Sequence, residues 1–321
     1  MAVTDRSIIE NASTTFRELA AEIFGAGRPP GVYQTFTSVF PTDSKIVEHD
    51  VLEAMPVARE WVGAKQYNDV QAAAHTLTLK SFEASFRIKR LDLQTDRTGI
   101  VGRRIASFLS DTAYMYDAEA HSVLFSNPTG YDGVPLFSSA HPRGPGGGNQ
   151  SNTTTSALSL ATFESAMQTG ASLRDANGQP LMISYDTLIV GPKLAAVARE
   201  ITGSTERVAA VNSSGEESGT RIAATSLPNF RGVQVFSGGS VNVVVDPRMP
   251  LGSVQDDYWY LVDTSRGASP IVGYEFRAPE AVTLDSMDSP ARFDLDEFRY
   301  SVEFDIVFGA GVWQVAYAGI L

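Results

Sequence analysis

The sequence has no cysteine in its 321 residues. A disulfide framework, a thiolate nucleophile, a zinc-thiolate site and an iron-sulfur cluster are therefore excluded, and stability has to come from packing and association. Lysine is scarce, with 5 against 20 arginines, and histidine occurs only as His49, His75, His121 and His141. No run approaches the 18 or so consecutive apolar residues of a transmembrane helix, so no membrane partner is expected. Positive charge is in the minority: 37 Asp and Glu against 25 Lys and Arg leave a net charge of -12. That is the wrong sign for a chain whose affinity rests on neutralising phosphates, and sequence-specific DNA binding is not expected.

The signatures of common active sites are missing as well. The glycine run Gly144 to Gly148 has no Lys-Ser or Lys-Thr after it and no strand before it, which leaves a phosphate-cradling loop unsupported. Gly25-Ala26-Gly27 follows a helical segment, the wrong order for a dinucleotide fingerprint. There is no G-x-S-x-G elbow and no H-E-x-x-H, and the histidines stand singly. Asp92 and Asp96 sit beside Arg90 and Arg97 and read as an ion network or cap. Asp256 and Asp257 read as an acidic turn before the aromatic pair Tyr258 and Trp259, since two acids without a third oxygen ligand make a poor calcium site. His141 reads as a structural turn histidine, because a lone imidazole lacks companion ligands or a base. Met1 to Ala12 carries Asp5, Arg6 and Glu10 and no apolar core, so it does not read as a signal peptide, and synthesis in the cytosol is expected.

What is present is enough apolar material, 43% of residues, for one elaborate domain or two. Ile9, Ala12, Phe16, Leu19, Ala20 and Ile23 recur at helical spacing, which predicts an amphipathic helix over 5–24 that packs on its own domain or reaches a neighbour. Two tracts between Ser44 and Arg90 have strand character and predict an extended hairpin, its polar connection at Gly63 to Ala74 projecting. A long helix is expected from a cap at Asp96 to about Phe125, with Ile100, Val101, Ile105, Phe108, Leu109, Thr112, Met115 and Tyr116 on its apolar positions. Gly and Pro between Asn127 and Ser156 mark a loop. Helices at 160–173 and 192–201 flank a strand at 187–190, with short strands at 233–236 and 241–245 and a Ser/Gly-rich loop at 203–221. The clearest alternation is Tyr300, Val302, Phe304, Ile306 and Phe308 on one face against Ser301, Glu303 and Asp305 on the other. Val312 to Tyr317 follows as an apolar strand carrying Trp313. The arginine excess has two readings, subunit contacts through bidentate pairing with carboxylates or a GC-rich codon bias. Its densest patch is Arg87, Lys89 and Arg90 with Arg103 and Arg104.

Five segments, in order, resemble the major head subunits of Mu-like tailed phages, the gpT family. They are Pro56-Val-Ala-Arg-Glu-Trp61-Val-Gly63-Ala-Lys65; Lys80-Ser-Phe82-Glu83 through Arg90-Leu-Asp92 to Gly99-Ile100; Tyr131-Asp132-Gly133 through Phe137 to His141-Pro142; Tyr260-Leu-Val-Asp263-Thr264-Ser265-Arg266 with Pro270-Ile271; and Gly311-Val-Trp313-Gln314-Val-Ala-Tyr317. Together they span about residues 55 to 317.

The resemblance implies an α+β chain with the Hong Kong 97-type capsid fold. The parts expected are an N-terminal arm (1–43), an extended β-hairpin loop (44–90), a peripheral domain (91–184) with the long spine helix, an axial domain (185–270), and strands returning to the peripheral domain (271–321). It implies a capsid protein of the virion, assembled in the host bacterial cytoplasm, that associates with itself as hexamers and pentamers around packaged DNA, which it contacts non-specifically. Scaffold protein, portal and a decoration protein are the other implied partners, and no cofactor, metal or catalytic residue is expected. Subunit-interface candidates are Phe16, Trp61, Lys65, Arg87, Arg90, Arg103 and Arg104. In some relatives a loop lysine is joined covalently to a neighbour's asparagine; Lys65 and Lys80 lie in the right region, but nothing identifies a partner. Two other readings stand beside this one: an encapsulin-like compartment holding a cargo enzyme, and a soluble α+β enzyme or carbohydrate-binding protein.

Overall fold

The computed structural model describes residues 5–25, 28–29, 31–54, 71–95, 99–143, 147–203, 206–208, 226–228, 241–284 and 295–320. In chain order they form α1 (Asp5–Phe24), β1 (Thr37–Pro41), β2 (Ile46–Ala54), β3 (Gln71–Thr78), β4 (Lys80–Lys89), α2 (Arg90–Thr95), α3 (Ile100–Ser126) and three two-residue strands, β5 (His141–Pro142), β6 (Asn149–Gln150) and β7 (Thr153–Thr154). Then come α4 (Leu160–Ser172), β8 (Thr187–Val190), α5 (Ala195–Gly203), β9 (Glu206–Val208), β10 (Ser226–Pro228), β11 (Asn242–Val245), β12 (Trp259–Val262), β13 (Ile271–Leu284), β14 (Glu297–Ala310) and β15 (Ala316–Gly319). The chain divides into two units: Met1–Asp50 with Ala74–Pro128 and Ile271–Ala310, and Val51–Ala73 with Thr129–Pro270 and Gly311–Leu321.

The first unit is built on a four-stranded sheet of order β1-β13-β14-β4. Alternation in β14 decides its faces. Phe298, Tyr300, Val302, Phe304 and Ile306 are buried while Arg299, Ser301, Glu303 and Asp305 are not. The buried face receives α1 and α3: Ala12, Phe16, Ala20 and Phe24, four residues apart and so on one stripe of α1, join Leu93, Val101, Ile105, Leu109, Ala113, Phe298, Tyr300 and Val302 in one core cluster. Phe16 sits 5.2 Å from the Tyr300 ring and 6.0 Å from Phe86. Helix α1 thus packs on its own unit, the first of the two possibilities its pattern left open.

Helix α3, at about 1.5 Å per residue, is a rod of roughly 40 Å. It starts at Ile100 rather than at an Asp96 cap; Asp96 is outside the described residues, and the position before the helix is Gly99 at φ 66° with no side-chain cap. Only glycine adopts that left-handed conformation at little cost, so the glycine that would weaken a helix interior serves as its entry. Ile100 and Met115, assigned by spacing to the apolar stripe, are exposed. The face includes instead the polar Asp117, which accepts from the Tyr33 backbone N–H at 2.9 Å.

The tract expected as one strand through Thr76 and Ile88 is split at Leu79, whose N–H donates to the Lys45 carbonyl. Before it, β3 pairs with β2 as a two-stranded ribbon; after it, β4 joins β14. The tip expected to project, Gly63 to Ala74, lies outside the described residues up to position 70. At the ribbon's base, Leu77 packs so closely over Gly309 that a Cβ there would collide with it. His49 Nδ1 lies 2.8 Å from the Tyr274 hydroxyl and its ring is 5.5 Å from that of His75. Both His75 ring nitrogens lack a partner among the described residues. Burial, with the neighbouring His75 second, pushes the His49 pKa down, and burial alone does the same to His75.

The second unit holds a five-stranded sheet of order β11-β8-β12-β15-β7. Every residue of β8 and β12 is buried, and strands covered on both faces read as near-continuous apolar runs, as Leu188–Val190 and Trp259–Val262 do. Helix α4 opens on a reciprocal cap, the Ser159 hydroxyl accepting from the Thr162 N–H while the Thr162 hydroxyl accepts from the Ser159 N–H. The division at 128/129 differs from the expected one near 184, because β7 pairs with β15 and places the 129–184 segment in the same unit as 185–270. Residues 311–320 likewise belong there rather than with β13 and β14. Trp313 is in a 3-10 turn (Trp313–Val315), not a strand, and β15 begins at Ala316. The strand expected at 233–236 is outside the described residues, as is most of the loop expected at 203–221.

Two outcomes follow. Phe16→Ala, which empties a fully buried site between α1, β4 and β14, should destabilise the isolated subunit by about 3–5 kcal/mol, measured by urea unfolding; intact stability would place α1 elsewhere. Because both imidazoles at the ribbon base are held neutral by burial, the unfolded chain binds more protons there. Stability should accordingly fall as pH drops below about 6.5. His75→Phe should flatten that fall in thermal melts recorded across pH.

Candidate assembly surface

The expected interface residues separate into three groups. Phe16 is fully buried in the subunit's own core, which corrects its assignment to an interface: the apolar stripe that suggested a partner has found one inside the chain. Trp61 and Lys65 lie outside the described residues. Arg87, Arg90, Arg103 and Arg104 are brought to the surface of the first unit, the first at the end of β4, the second opening α2, the other two exposed on the first turns of α3.

Arg87 belongs to an arrangement that local sequence does not show. It lies 3.4 Å from the Glu297 carboxylate, and Arg299 donates to the same carboxylate at 2.9 Å. The Glu297 side chain is 3% exposed and that of Arg87 is 70% exposed. Two guanidiniums thus hold one nearly buried acid and keep surplus positive charge at the surface. Arg90 pairs with Asp296 at 3.0 Å. Glu297 and Asp296 are some 200 residues from Arg87 and Arg90, and the β14–β4 register, with Arg299 opposite Arg87 and Glu297 opposite Lys89, unites them.

In the second unit the third and fifth segments of the gpT resemblance meet at His141. The ring is fully buried and stacks on Trp313, centroids 3.9 Å apart and 6° from parallel. Its Nδ1 is 2.6 Å from Asp132 Oδ2 and its Nε2 is 3.1 Å from Asn152 Oδ1. The Asn152 amide is oriented without ambiguity: its nitrogen faces the carbonyls of Leu136, Trp313 and Ala316 at 2.9, 3.1 and 3.3 Å, and its oxygen accepts from the Ser138 N–H. His141 Nε2 therefore carries a hydrogen and donates, while Nδ1 lies against the Asp132 carboxylate. With both nitrogens engaged, the ring has no free lone pair for a metal or for base catalysis. The arrangement fastens the 131–152 loop to the 313–316 turn. Asp132 and Asn152 were not singled out from sequence, though Asp132 stands inside the same motif as His141.

The other acidic candidates are also engaged structurally. Asp256 and Asp257 flank Lys193 Nζ at 2.9 and 2.6 Å, and the hydrogen bond from that ammonium, before the one from the Gly252 N–H, holds the Asp256 carboxyl below its ordinary pKa. Among the described residues no group of three or more His, Asp or Glu is placed to hold a metal ion, and no helix is long and apolar enough to cross a membrane.

Two α/β units, one carrying a long helix against a four-stranded sheet, have the Hong Kong 97-type capsid fold. The capsid structure of cyanophage P-SCSP1u superposes with a TM-score of 0.56 over 91% of this chain and 88% of that one, at 10% identity. An encapsulin of Synechococcus elongatus matches at 0.50 over 89% and 84%, at 9% identity; at such identities the likeness is one of fold alone. The chain belongs to the phage capsid protein family, whose model it matches over residues 73–319. Among curated proteins, the major capsid protein of Escherichia phage Mu is 27% identical over 116 residues, 35% of this chain and 38% of that one. The major head subunit of the Mu-like prophage FluMu of Haemophilus influenzae is 34% identical over 67 residues, 21% and 22%. The matched parts span well under half of either relative.

Asn152→Ala would leave three carbonyls and the His141 and Ser138 donors without their partner. Each such buried group costs about 1–3 kcal/mol, so a loss above about 3 kcal/mol is expected in chemical denaturation. A loss below 1 kcal/mol would mean that the amide does not fasten this loop.

Proposed function

We propose that this chain is a major capsid subunit that assembles, as hexamers and pentamers, into an icosahedral shell enclosing double-stranded phage DNA. The observation that carries the proposal is the family match over residues 73–319, in a chain whose curated relatives are phage head and capsid proteins. On this reading the first unit is the peripheral domain, with α1 as the arm and α3 as the spine, the β2–β3 ribbon is the base of the extended loop, and the second unit is the axial domain. The role is architectural, without catalysis. Scaffold, portal and a decoration protein are its proposed partners, and assembly takes place in the host bacterial cytoplasm before the shell becomes part of the virion.

Charge is compatible with this role. A shell that bound phosphates tightly over its whole lining would hinder packing and release, and a net charge of -12 limits such adhesion. The fold is shared with an encapsulin, so a protein-filled compartment is the second reading, and the content of the particle separates the two.

The test is expression of the protein alone and beside its neighbouring genes, followed by size-exclusion chromatography and negative-stain electron microscopy. Closed shells or five- and six-membered rings are expected, with nuclease-protected DNA inside particles formed in a phage infection. A 34.5 kDa monomer under every condition, or shells that retain a single cargo protein and no DNA, would overturn the phage-shell reading.

A further inference from the structure

The face of the β13–β14–β4 sheet turned away from the helices is patterned by charge. Helix α1 reaches the other face, where Arg17 donates to Thr283 at 2.7 Å, so Glu280, Val282 and Leu284 point away from it. In register across the three strands lie Glu280, Glu303 and Glu83. One row further along β14 stands Asp305, between Arg277 and Ser81. Arg277 reaches Glu303 at 3.2 Å and Asp305 at 3.0 Å, so a single guanidinium serves a patch of four carboxylates. In the opposite direction the next row is Val282, Ser301 and Ser85, small or uncharged. After it comes Leu284, Arg299 and Arg87, followed by Glu297 opposite Lys89, so that three basic groups surround one nearly buried acid. The sheet face therefore has an acidic row and a basic row with a neutral row between them.

Like charges placed directly across a strand pair are destabilising. Here Glu83 faces Glu303 and Arg87 faces Arg299; within the subunit Arg277 offsets part of the acidic row and Glu297 part of the basic one, which leaves a surplus of each sign on its own row. The two rows are four residues apart on β14, about 13 Å, with the neutral row midway. A two-fold axis along the hydrogen-bonding direction, above the Ser301–Ser85 row, maps the acidic row onto the basic one. It sets Glu83 of one copy over Arg87 of the other and Glu303 over Arg299, each twice. Such self-complementarity is what an isologous contact requires, and complementary charge fixes register and partner choice. Nucleic acid does not fit, because four carboxylates would meet its phosphates.

We infer that this sheet face pairs with the same face of a second copy of the chain, through reciprocal Glu83–Arg87 and Glu303–Arg299 contacts about an axis at Ser85 and Ser301. The inference rests on the self-association proposed above and assigns it a surface.

The test uses two exposed positions on the edge strand β4. Glu83→Lys and Arg87→Glu should each weaken self-association at least tenfold in sedimentation velocity. An equimolar mixture of the two variants should restore it, and so should the double variant carrying both reversals. Circular dichroism melts show whether each variant is folded; should one not be, Ser85→Cys in the otherwise cysteine-free chain tests the same contact without reversing a charge. Two copies of position 85 meet at the axis, so a short bifunctional maleimide should join them as a dimer. Ser81→Cys, whose copies would lie about 27 Å apart, should stay monomeric with the same reagent. Folded single reversals that associate as the parent does, or equal cross-linking at 81 and 85, would overturn the inference. If shells still form in those variants the capsid reading stands without this contact, whereas a parent chain that never forms shells but dimerises through position 85 would preserve the contact and remove the capsid reading.

Discussion

Everything in the first unit depends on β14 lying between β13 and β4 with its aromatic and aliphatic side chains on one side. Phe298, Tyr300 and Val302 are sheltered by the stripe of α1 and the inner positions of α3, while Phe304 packs against Tyr116 of α3 and stacks on Phe82 of β4. A shift of one residue in the pairing of β14 would exchange the whole set for Arg299, Ser301, Glu303 and Asp305. The register that buries the core is therefore the same register that orders the charges outside. Core and surface are two readings of one strand.

This accounts for what was legible in the residues and what was not. Period-two alternation in β14 and period-four apolar recurrence in α1 are local signals, and both elements appear where they were expected. The end of α3 that carries glycines was misplaced because Gly99 acts as an entry rather than an interior residue, a distinction that depends on one backbone angle. The contacts divide the chain at 128/129 rather than near 184, and among the links that join the 129–184 segment to the second unit is β7, whose two-residue pairing leaves no periodic trace. Of the interface candidates, Phe16 failed because a stripe of apolar residues does not say whether its partner is in the same chain. Arg87 was found by composition, but its meaning came from Glu297 and Arg299, about 200 residues away, which only register can bring together.

The two units also solve the problem of polar atoms in different ways. In the first, the nearly buried Glu297 is balanced by two arginines whose outer ends reach water. In the second, His141, Asp132 and Asn152 are taken inside and each donor is matched to an acceptor. Matched polar clusters of this kind specify one packing among several with similar apolar burial, which suits a part that has to be the same in every copy. A solvated charge pattern tolerates small changes of angle, which on the proposed shell reading would suit a part that meets its neighbours at more than one inclination.

The amide of Asn152 contacts carbonyls 161 and 164 residues further along the chain, and β4 finds its place only beside a strand more than 200 residues downstream. On a ribosome, then, neither unit can close when its first elements emerge; both wait for residues beyond 297. Contacts so distant in sequence make folding slow, and the intermediate leaves the edge of β4 and the inner face of the helices uncovered, where chance encounters lead to aggregation. The same delay has a benefit: a nascent chain cannot display the finished sheet face proposed above as a self-contact until residues 297–306 have been made.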